Sequence, residues 1–372
     1  MSYMSEFNRG RAKQVLELLE QDGVDVLLLF PGANIRYYTG FSIGLSERLA
    51  AAVIPVEGPP YFVVNELEEE LRGLKPWFNK VVTWKEYEDP IKVLAETLIE
   101  NGYKSSVLGI PEEAPWGWIN ELGKALPEAQ MIDISDRLGY VRMVKARTEL
   151  DNIKRACKIS DESMDEAFIQ LHTGITELEL QELLVTGMKK RGGGDTFAAV
   201  LFGERAALPH GSASDRGLRP GEFVLVDMGC TFNGYWSDCT RTVAYGELSE
   251  KQRKIYDIVL KANESAYKAI QPGVTCESID EAARKVIAKA GYGKFFIHRL
   301  GHGIGLEIHE HPYIVKNNKK PLEPNMVFSD EPGIYIIGEL GVRIEDTVVC
   351  TSEGAKYLTN FERTLRKYPV SN

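Results

Sequence analysis

Four carboxylates in the second half of the chain occur in two similar segments. Asp227 falls in the apolar run VLVDMG, and Asp238 follows in WSDCTRT after the turn signal Thr231–Gly234. This pattern is typical of a β-hairpin, which would bring both acids onto neighbouring strands. Glu331 in VFSDEPG and Glu345 in VRIED form a second such pair, again separated by glycines. We therefore expect two hairpins that carry four carboxylates.

Such acids are costly to bury in apolar strands, because an unpaired charge loses its hydration. Like charges brought close together would also hold some of the groups in the protonated form. Ion pairs with Arg241 and Arg343, which are near in sequence, are the simpler interpretation for any single acid. For four acids in two related segments we favour two divalent cations, which would cancel all four charges.

An internal repeat relates the two segments. Gly174-Ile-Thr176 reappears as Gly273-Val-Thr275, at an offset of 99 residues. Thr176 and Thr275 each stand where a helix N-cap is expected, and Glu179 is placed to complete a capping box in the first copy. Each copy is preceded by a long helical segment and followed by a strand that begins with an aromatic residue.

The repeat also aligns the acids. Leu218-Arg-Pro220 parallels Leu322-Glu-Pro324 at an offset of 104, and this offset matches Asp227 with Glu331. A three-residue insertion then matches the second acids of the two pairs. The second domain is therefore predicted to be a duplicated α+β unit with pseudo-twofold symmetry and a site where its halves meet.

Histidines add possible neutral ligands and proton carriers. His302, flanked by glycines in LGHGIG, could approach an ion closely. His210 in LPHG lies 99 residues before His309, so the repeat makes them symmetry mates on opposite sides of the cleft. Two such imidazoles suit hydrogen bonding to a substrate carbonyl, an oxyanion or a leaving amine. His172 and His298 are interpreted as structural, and His311 has no assigned role.

The first 142 residues predict a compact α/β domain. Apolar runs indicate strands at 24–30, 51–56, 61–64 and 106–110, and helical periodicity occurs at 8–22, 91–100 and 118–126. Alternating strands and helices of this kind form a sheet covered by helices. Asn34–Gly40 is predicted to be a loop, either a plain turn or a substrate contact. A long amphipathic helix at 148–171 begins the second domain, so we expect domains at 1–142 and 143–372.

Composition narrows the classes of partner. The 372 residues are 44% hydrophobic and 26% charged with a formal charge of −10, which argues against nucleic acid or an anionic membrane as the main partner. The first residues resemble no signal peptide, and no apolar run approaches the ~18 residues that span a bilayer. Five scattered cysteines without a CxxC pair suit reduced thiols in the cytoplasm.

These motifs resemble those of the pita-bread metallopeptidases, the group of methionine aminopeptidase, aminopeptidase P, prolidase and creatinase. The similarity rests on VDMG, SDCTRT, GHGIGLEIHE, EPGIY and RIED in this order. NIRYYTGF in an α/β domain resembles the N-terminal domain of the prolidase and creatinase branch. The resemblance covers nearly the whole chain and is greatest to a microbial Xaa-Pro dipeptidase.

The resemblance implies a ligand set for two metal ions. By the family pattern Asp227 is a ligand of one metal, and Asp238 and Glu345 bridge both. His302 and Glu331 complete the second metal. Such an oxygen-rich set with one imidazole favours Mn²⁺, with Co²⁺, Zn²⁺ or Fe²⁺ as alternatives.

The resemblance also implies hydrolysis of the bond between an N-terminal residue and a following proline. A metal-bridging hydroxide would attack the scissile carbonyl, and Glu331 would act as general base. The two substrate-binding histidines of the family fall on His210 and His309. A homodimer is expected on the same ground.

Several functions share this pattern. Prolidases cleave dipeptides, whereas aminopeptidases P cleave longer peptides. Many similar prolidases have an arginine after the HE motif, where this chain has the candidate substrate-binding residue Tyr313, and this difference leaves both substrates open. Asp330 is a second departure and is expected to point away from the metals. A creatinase-like amidinohydrolase and a non-catalytic binding protein are alternatives, although both usually lack the full ligand set.

Overall fold

The protein consists of two compact units, residues 1–141 and 142–372, in a computed structural model. The structure describes residues 2–68, 78 and 80–371. The division falls one residue before the predicted domain boundary. Within the described residues, no helix has the length and apolar character needed to cross a membrane.

The first unit is built around one six-stranded mixed sheet with the order β4-β3-β2-β1-β5-β6. Its strands are β1 (Val26–Leu29), β2 (Ala51–Pro55), β3 (Tyr61–Asn65), β4 (Lys80–Trp84), β5 (Val107–Ile110) and β6 (Gln130–Asp133). Its helices are α1 (Ser2–Gln21), α2 (Ala33–Thr39), α3 (Pro90–Glu100), α4 (Trp116–Ala125) and α5 (Ser135–Met143), the last of which extends past the boundary. Strands β1, β2 and β3 are buried along their whole length, as expected for a sheet covered on both faces.

The prediction that residues 34–40 form a loop is wrong, because most of this segment is helix α2. Gly40 ends the helix in the left-handed conformation with φ 84°, and its N–H donates to the carbonyl of Arg36. Tyr37 and Tyr38 are buried at 2% and 0% exposure, and the hydroxyl of Tyr38 donates to the carbonyl of Leu138 at 3.0 Å. The paired tyrosines therefore belong to the core of this unit.

The second unit contains two main sheets, each with a pair of helices; one is antiparallel throughout, and the other is antiparallel except for the parallel pair β10 and β18. Its strands are β7 (Thr196–Phe202), β8 (Glu222–Phe232), β9 (Tyr235–Trp236), β10 (Cys239–Tyr245), β11 (Gly301–Gly303), β12 (Glu310–Ile314), β13 (Val327–Asp330), β14 (Gly333–Ile336), β15 (Leu340–Arg343), β16 (Asp346–Thr351), β17 (Gly354–Tyr357) and β18 (Lys367–Tyr368). Its helices are α6 (Arg147–Phe168), α7 (Glu177–Lys190), α8 (Glu250–Ala269) and α9 (Cys276–Lys289). One sheet has the order β18-β10-β8-β7, the other β12-β11-β13-β16-β17, and β14 pairs only with β15.

Equivalent hydrogen bonds show the internal duplication directly. The N–H of Gly174 donates to Leu218 at 2.9 Å, and the N–H of Gly273 donates to Leu322 at 2.8 Å. The offset of 99 pairs the two donors of these bonds, and the offset of 104 pairs the two acceptors. Each bond ties the turn before one helix, α7 or α9, to the segment that leads into the central strand of its half. The two halves therefore share one folding plan.

We expect Thr176→Ala to lower the free energy of unfolding by about 1 kcal/mol, the usual cost of losing an N-cap. The Thr176 hydroxyl accepts the backbone N–H of Glu179 at 3.1 Å, and the Glu179 carboxylate accepts the N–H of Thr176 in return. Thr275→Ala is the matched control, because the Thr275 side chain caps no backbone N–H of α9. Urea denaturation of both variants measures the difference, and equal losses would contradict the assignment.

Candidate metal centre

The first two acids are brought together by the hairpin of β8 and β10. Asp227 lies in the middle of β8, directly opposite Thr240 in the strand register, and Asp238 immediately precedes β10. Asp238 is only 4% exposed, and its backbone N–H and carbonyl both bond the hydroxyl of Thr347 in β16. The first sheet is thus joined to the second at the position of this acid.

His302 occupies the centre of the short strand β11, between two glycines that have no room for a side chain. A Cβ atom on Gly301 would lie 1.8 Å from the carbonyl oxygen of Ser329, and one on Gly303 would lie 2.1 Å from that of His311. The glycines therefore allow β11 to pack closely between β12 and β13. As a result His302, at 3% exposure, is held rigidly in the interior.

The last two acids flank the hairpin of β14 and β15. Glu331 precedes β14, and its N–H donates to the carbonyl of Leu300 at 2.9 Å. Glu345 follows β15, and its N–H donates to Thr240 of the first sheet at 3.0 Å. The hydroxyl of Thr240 also donates to a Glu345 carboxylate oxygen at 2.6 Å. Both halves of the duplicated unit therefore contribute to one centre.

Three of these side chains form a compact donor cluster. Oxygen and nitrogen atoms of Asp238, His302 and Glu345 all lie within 4.8 Å of one another. His302 Nε2 is 3.3 Å from Glu331 Oε1 and 3.6 Å from Asp238 Oδ2. Because its other ring nitrogen bonds the Gly303 carbonyl at 3.1 Å, Nε2 is the atom aimed at the acids. A donor set of this kind suits a divalent cation.

The cluster forms the floor of a cavity of about 710 Å³. Its apolar lining comes from Phe197, Pro209, Ile297 and Ile308. Its polar and charged lining comes from His210, Asp227, Asp238, His298, Arg299, His302, His309, Glu331, Arg343 and Glu345. All residues that the sequence singled out as metal ligands therefore line one space.

Burial and mutual repulsion disturb the protonation of the acids. Burial, and then the charge of Glu345, raises the pKa of Asp238 well above its usual range, and burial followed by Glu331 does the same for Glu345. Burial raises the pKa of Glu331 to about 7, against the opposing charge of Arg343. Burial also lowers the pKa of His302 to about 3, so this imidazole is neutral at physiological pH. The site therefore lacks positive charge that bound cations would supply.

Among the residues that the structure describes, an arginine pairs with only one of the four acids. Arg343 Nη2 donates to Asp227 Oδ2 at 2.5 Å, whereas Asp227 Oδ1 is buried and has no hydrogen-bond partner in the described structure. Arg241, the other candidate partner, pairs with Asp346 at 2.7 Å instead. Asp227 thus keeps one oxygen for an additional ligand, and the residues present fit a pair of divalent cations.

Two residues beside the ligands were not singled out in the sequence: His298 is interpreted there as structural, and Tyr335 has no assigned role. Arg343 Nη1 donates to the Tyr335 hydroxyl at 3.2 Å, and that oxygen lies 2.9 Å from His298 Nε2. Burial, followed by the charge of Arg343, lowers the pKa of His298 to about 4. A chain of contacts therefore runs from Asp227 to an imidazole at the cavity wall. Only the spacing of His298, four residues before His302, could have indicated it.

The predicted substrate residues differ in position. His210 and His309 both line the cavity, and the His309 ring lies 4.1 Å from that of His302. Among the described residues that line the cavity, Tyr313 does not occur; its ring packs under the guanidinium of Arg299. Three further residues lie elsewhere or outside the lining: His172 on the surface, His311 against Tyr313, and Asp330, which is fully buried.

Four acids and His302 line one cavity beside two further imidazoles, and among the described residues only Asp227 of the four acids pairs with an arginine; this arrangement places the second unit in the class of metal-dependent enzymes. The chain belongs to metallopeptidase family M24, whose model matches residues 151–352. The model of the creatinase/prolidase N-terminal domain matches residues 11–144. The predicted fold class, a creatinase-type α/β domain followed by a pita-bread catalytic domain, is confirmed, and the protein is a metallopeptidase. Family membership implies divalent metal ions and peptide substrates.

Individual proteins support the same assignment. An uncharacterized peptidase of Staphylococcus epidermidis is 36% identical to this chain, and the match covers 95% of this chain and 99% of the peptidase. A prolidase from Thermococcus sibiricus, whose crystal structure is known, is 35% identical with a TM-score of 0.91, and the match covers 96% of this chain and 98% of the prolidase. An X-Pro aminopeptidase from Thermotoga maritima is 34% identical with a TM-score of 0.82, and the match covers 93% of this chain and 98% of the aminopeptidase.

We expect Glu331→Gln to stabilise the metal-free protein at pH 8 by on the order of 2 kcal/mol. The pKa of Glu331 is about 7 when folded and 4.5 in its ordinary state, so the folded chain holds a proton that the unfolded chain releases between these values. Stability from this group is therefore complete below pH 4.5 and is lost as the pH rises through 7.

Thermal unfolding of the chelator-treated protein from pH 4 to 8 tests this expectation. The stability that Glu331→Gln gains over the wild type should vanish near pH 4. Added Mn²⁺ should stabilise the wild type more than the variant. Glu353→Gln is the control, because Glu353 is an exposed carboxylate in a surface turn. A variant that is equally destabilised at every pH would show that Glu331 has a purely structural role.

Proposed function

We propose that this protein is a prolidase, which hydrolyses the bond before proline in dipeptides or short peptides with the help of two divalent metal ions. The observation that carries the proposal is one cavity lined by the four acids and His302, which includes a donor cluster within 4.8 Å. The similar T. sibiricus structure is that of a prolidase, which supports the choice of substrate.

In this proposal each ligand has a defined place. Asp227 would hold a metal ion through the oxygen that Arg343 leaves unpaired. Asp238, Glu345, His302 and Glu331 would hold the metal ions together with it. We propose Mn²⁺ as the metal, since oxygen donors predominate, with Co²⁺, Zn²⁺ or Fe²⁺ as alternatives.

Bound divalent ions supply Lewis-acid polarisation of the scissile carbonyl and acidify water. Glu331 takes the proton from the attacking water, because its carboxylate lines the cavity and lies 3.3 Å from His302 Nε2, beside the other ligands. His309, whose pKa is lowered chiefly by burial, is neutral and donates a hydrogen bond to the developing oxyanion. His210 faces the substrate from the other half of the duplicated unit.

A second candidate is an Xaa-Pro aminopeptidase that acts on longer peptides. The X-Pro aminopeptidase from T. maritima favours it, since its structure covers nearly the whole chain. The same ligands and histidines would serve either activity, so the choice depends on what holds the far end of the peptide.

We further propose that the protein acts as a homodimer in the cytoplasm and binds neither nucleic acid nor membranes. Five buried, unpaired cysteines support a reducing compartment, and the net charge of −10 opposes binding to polyanions. Analytical ultracentrifugation at micromolar concentration measures the oligomeric state, and a monomer would refute that part.

Hydrolysis of a peptide panel with and without Mn²⁺ tests the proposed activity. The panel contains Leu-Pro, Leu-Pro-Gly, Met-Ala-Gly and creatine, so that each alternative has its own substrate. We expect Leu-Pro to be cleaved fastest and chelation to abolish turnover. Faster cleavage of Leu-Pro-Gly would make the protein an aminopeptidase, and release of urea from creatine would make it an amidinohydrolase.

Substitutions separate metal binding from catalysis. We expect Asp238→Ala and His302→Ala to lose bound metal and all measurable activity. His309→Ala should keep its metal content but lose roughly 100-fold or more in kcat, the usual cost of one oxyanion donor. Metal analysis and steady-state kinetics of the three purified variants give both quantities. Near-normal turnover in either ligand variant would refute the assigned ligands.

A further inference from the structure

Arg299 is a cavity residue that the roles proposed above do not use. It lies three residues before His302, in the segment that enters strand β11, and its side chain lines the cavity. Among the residues that the structure describes, it forms no ion pair. Arg343, the other arginine of the cavity, is by contrast paired with Asp227. Arg299 is therefore a positive charge that has no anionic partner within the described structure.

The guanidinium of Arg299 is nevertheless held in place. Its central carbon lies 4.3 Å from the centroid of the Tyr313 ring, a distance that allows a cation–π contact. The two residues are adjacent because Leu300 donates its N–H to the carbonyl of Ile314 at 3.0 Å. The Arg299 carbonyl also lies 2.7 Å from His298 Nδ1. An aromatic ring orients the guanidinium without neutralising it, so its charge remains available to a ligand.

The charge acts on the face of the cavity that holds the catalytic groups. Burial is the main cause of the lowered pKa of His309, and the charge of Arg299 is the next. Arg299 lines the same cavity as His309 and Glu331. A guanidinium close to these groups would lie along the substrate rather than at a distant surface.

We propose that Arg299 binds the free C-terminal carboxylate of the substrate and thereby limits the enzyme to dipeptides. The planar guanidinium presents two N–H groups that match the two oxygens of a carboxylate. Other described charges of the lining are acids or the paired Arg343, so Arg299 is the group suited to this end of the peptide. This inference rests on the proposed peptidase function and selects between its two candidate substrates.

Tyr313 gains a role from this arrangement. Many prolidases that resemble this chain carry an arginine at the corresponding position, whereas here the position supplies the ring under Arg299. The cation is thus provided from the neighbouring strand segment. Tyr313 supports substrate binding through Arg299 and does not itself line the cavity, so it is a positioning residue.

The test compares Leu-Pro with Leu-prolinamide, which lacks the terminal negative charge. We expect the wild type to prefer the acid, and Arg299→Gln to lower kcat/KM for Leu-Pro roughly 10- to 100-fold, mainly through KM, because a hydrogen bond to a charged group is lost. Turnover of the amide should change less than about threefold. Arg299→Lys should retain part of the preference for Leu-Pro over its amide, since lysine keeps the positive charge but lacks the paired N–H groups of the guanidinium.

Arg155→Gln is the matched control. Arg155 is an exposed arginine of helix α6 that lies 5.8 Å over the ring of Phe232 and outside the cavity lining, so the variant loses the same charge and the same kind of contact. It should hydrolyse both substrates as the wild type does. Thermal unfolding of the three variants verifies that each is folded, and Arg299→Lys keeps the test decisive if Arg299→Gln is unstable.

Three results would overturn the inference. The first is a wild type that cleaves Leu-prolinamide or Leu-Pro-Gly as well as Leu-Pro. The second is an equal loss on acid and amide in Arg299→Gln. The third is a loss confined to Glu-Pro, which would assign Arg299 to the side chain of the first residue.

Two further measurements separate this inference from the proposed function. Leu-Ala and its amide repeat the comparison without proline, so an enzyme that cleaves Leu-Ala but not Leu-Pro would refute the proline preference and still test Arg299. Calorimetric titration of the chelator-treated wild type and Arg299→Gln with Leu-Pro and Leu-prolinamide needs no turnover. The wild type should bind the acid more tightly and the variant should not; equal binding in both proteins would refute the role of Arg299.

Discussion

The repulsion among acids buried in one cavity is the constraint on which the catalytic unit depends. Asp238 and Glu345 are almost inaccessible to water, and after burial the largest causes of their raised pKa values are neighbouring acids, Glu345 for Asp238 and Glu331 for Glu345. The scaffold opposes this repulsion with neutral donors, such as the hydroxyl of Thr240, and with a single guanidinium from Arg343. These contacts hold the acids in position but leave most of their charge uncompensated. Divalent cations remove that deficit, so metal binding and stability of the fold are coupled.

Much of the catalytic unit could be predicted from the sequence, because the two copies of a duplicated unit keep equivalent residues at nearly constant offsets. The offset of 99 residues located the turns before α7 and α9, and an offset of 104 aligned Asp227 with Glu331. The buried strands β1, β2 and β3 were also predicted, since continuous apolar runs of this length are typical of strands covered on both faces. The edge strands β4 and β6 were not predicted, because they are only partly buried.

Residues that act through other residues were harder to predict than ligands. His298 and Tyr335 are 37 positions apart and meet only because β14 folds back beside the segment that precedes β11. Arg299 has no motif of its own, and its role depends on Tyr313, which pairs with it across neighbouring strands. Helix α2 was mistaken for a loop because its Asn and Gly residues resemble turn signals, whereas burial of Tyr37 and Tyr38 decides its conformation. Tertiary contacts of this kind leave no periodic pattern.

The division of the ligands between two sheets has a consequence during synthesis. Asp227 and Asp238 leave the ribosome about a hundred residues before Glu345, whose backbone and side chain both bond Thr240 in the earlier sheet. A nascent chain therefore exposes two acids with no partners for most of the time that the second half is being translated. In the proposed ligand set, all five side chains are present only once the chain extends past Glu345, so a chain truncated before that residue lacks a complete metal site.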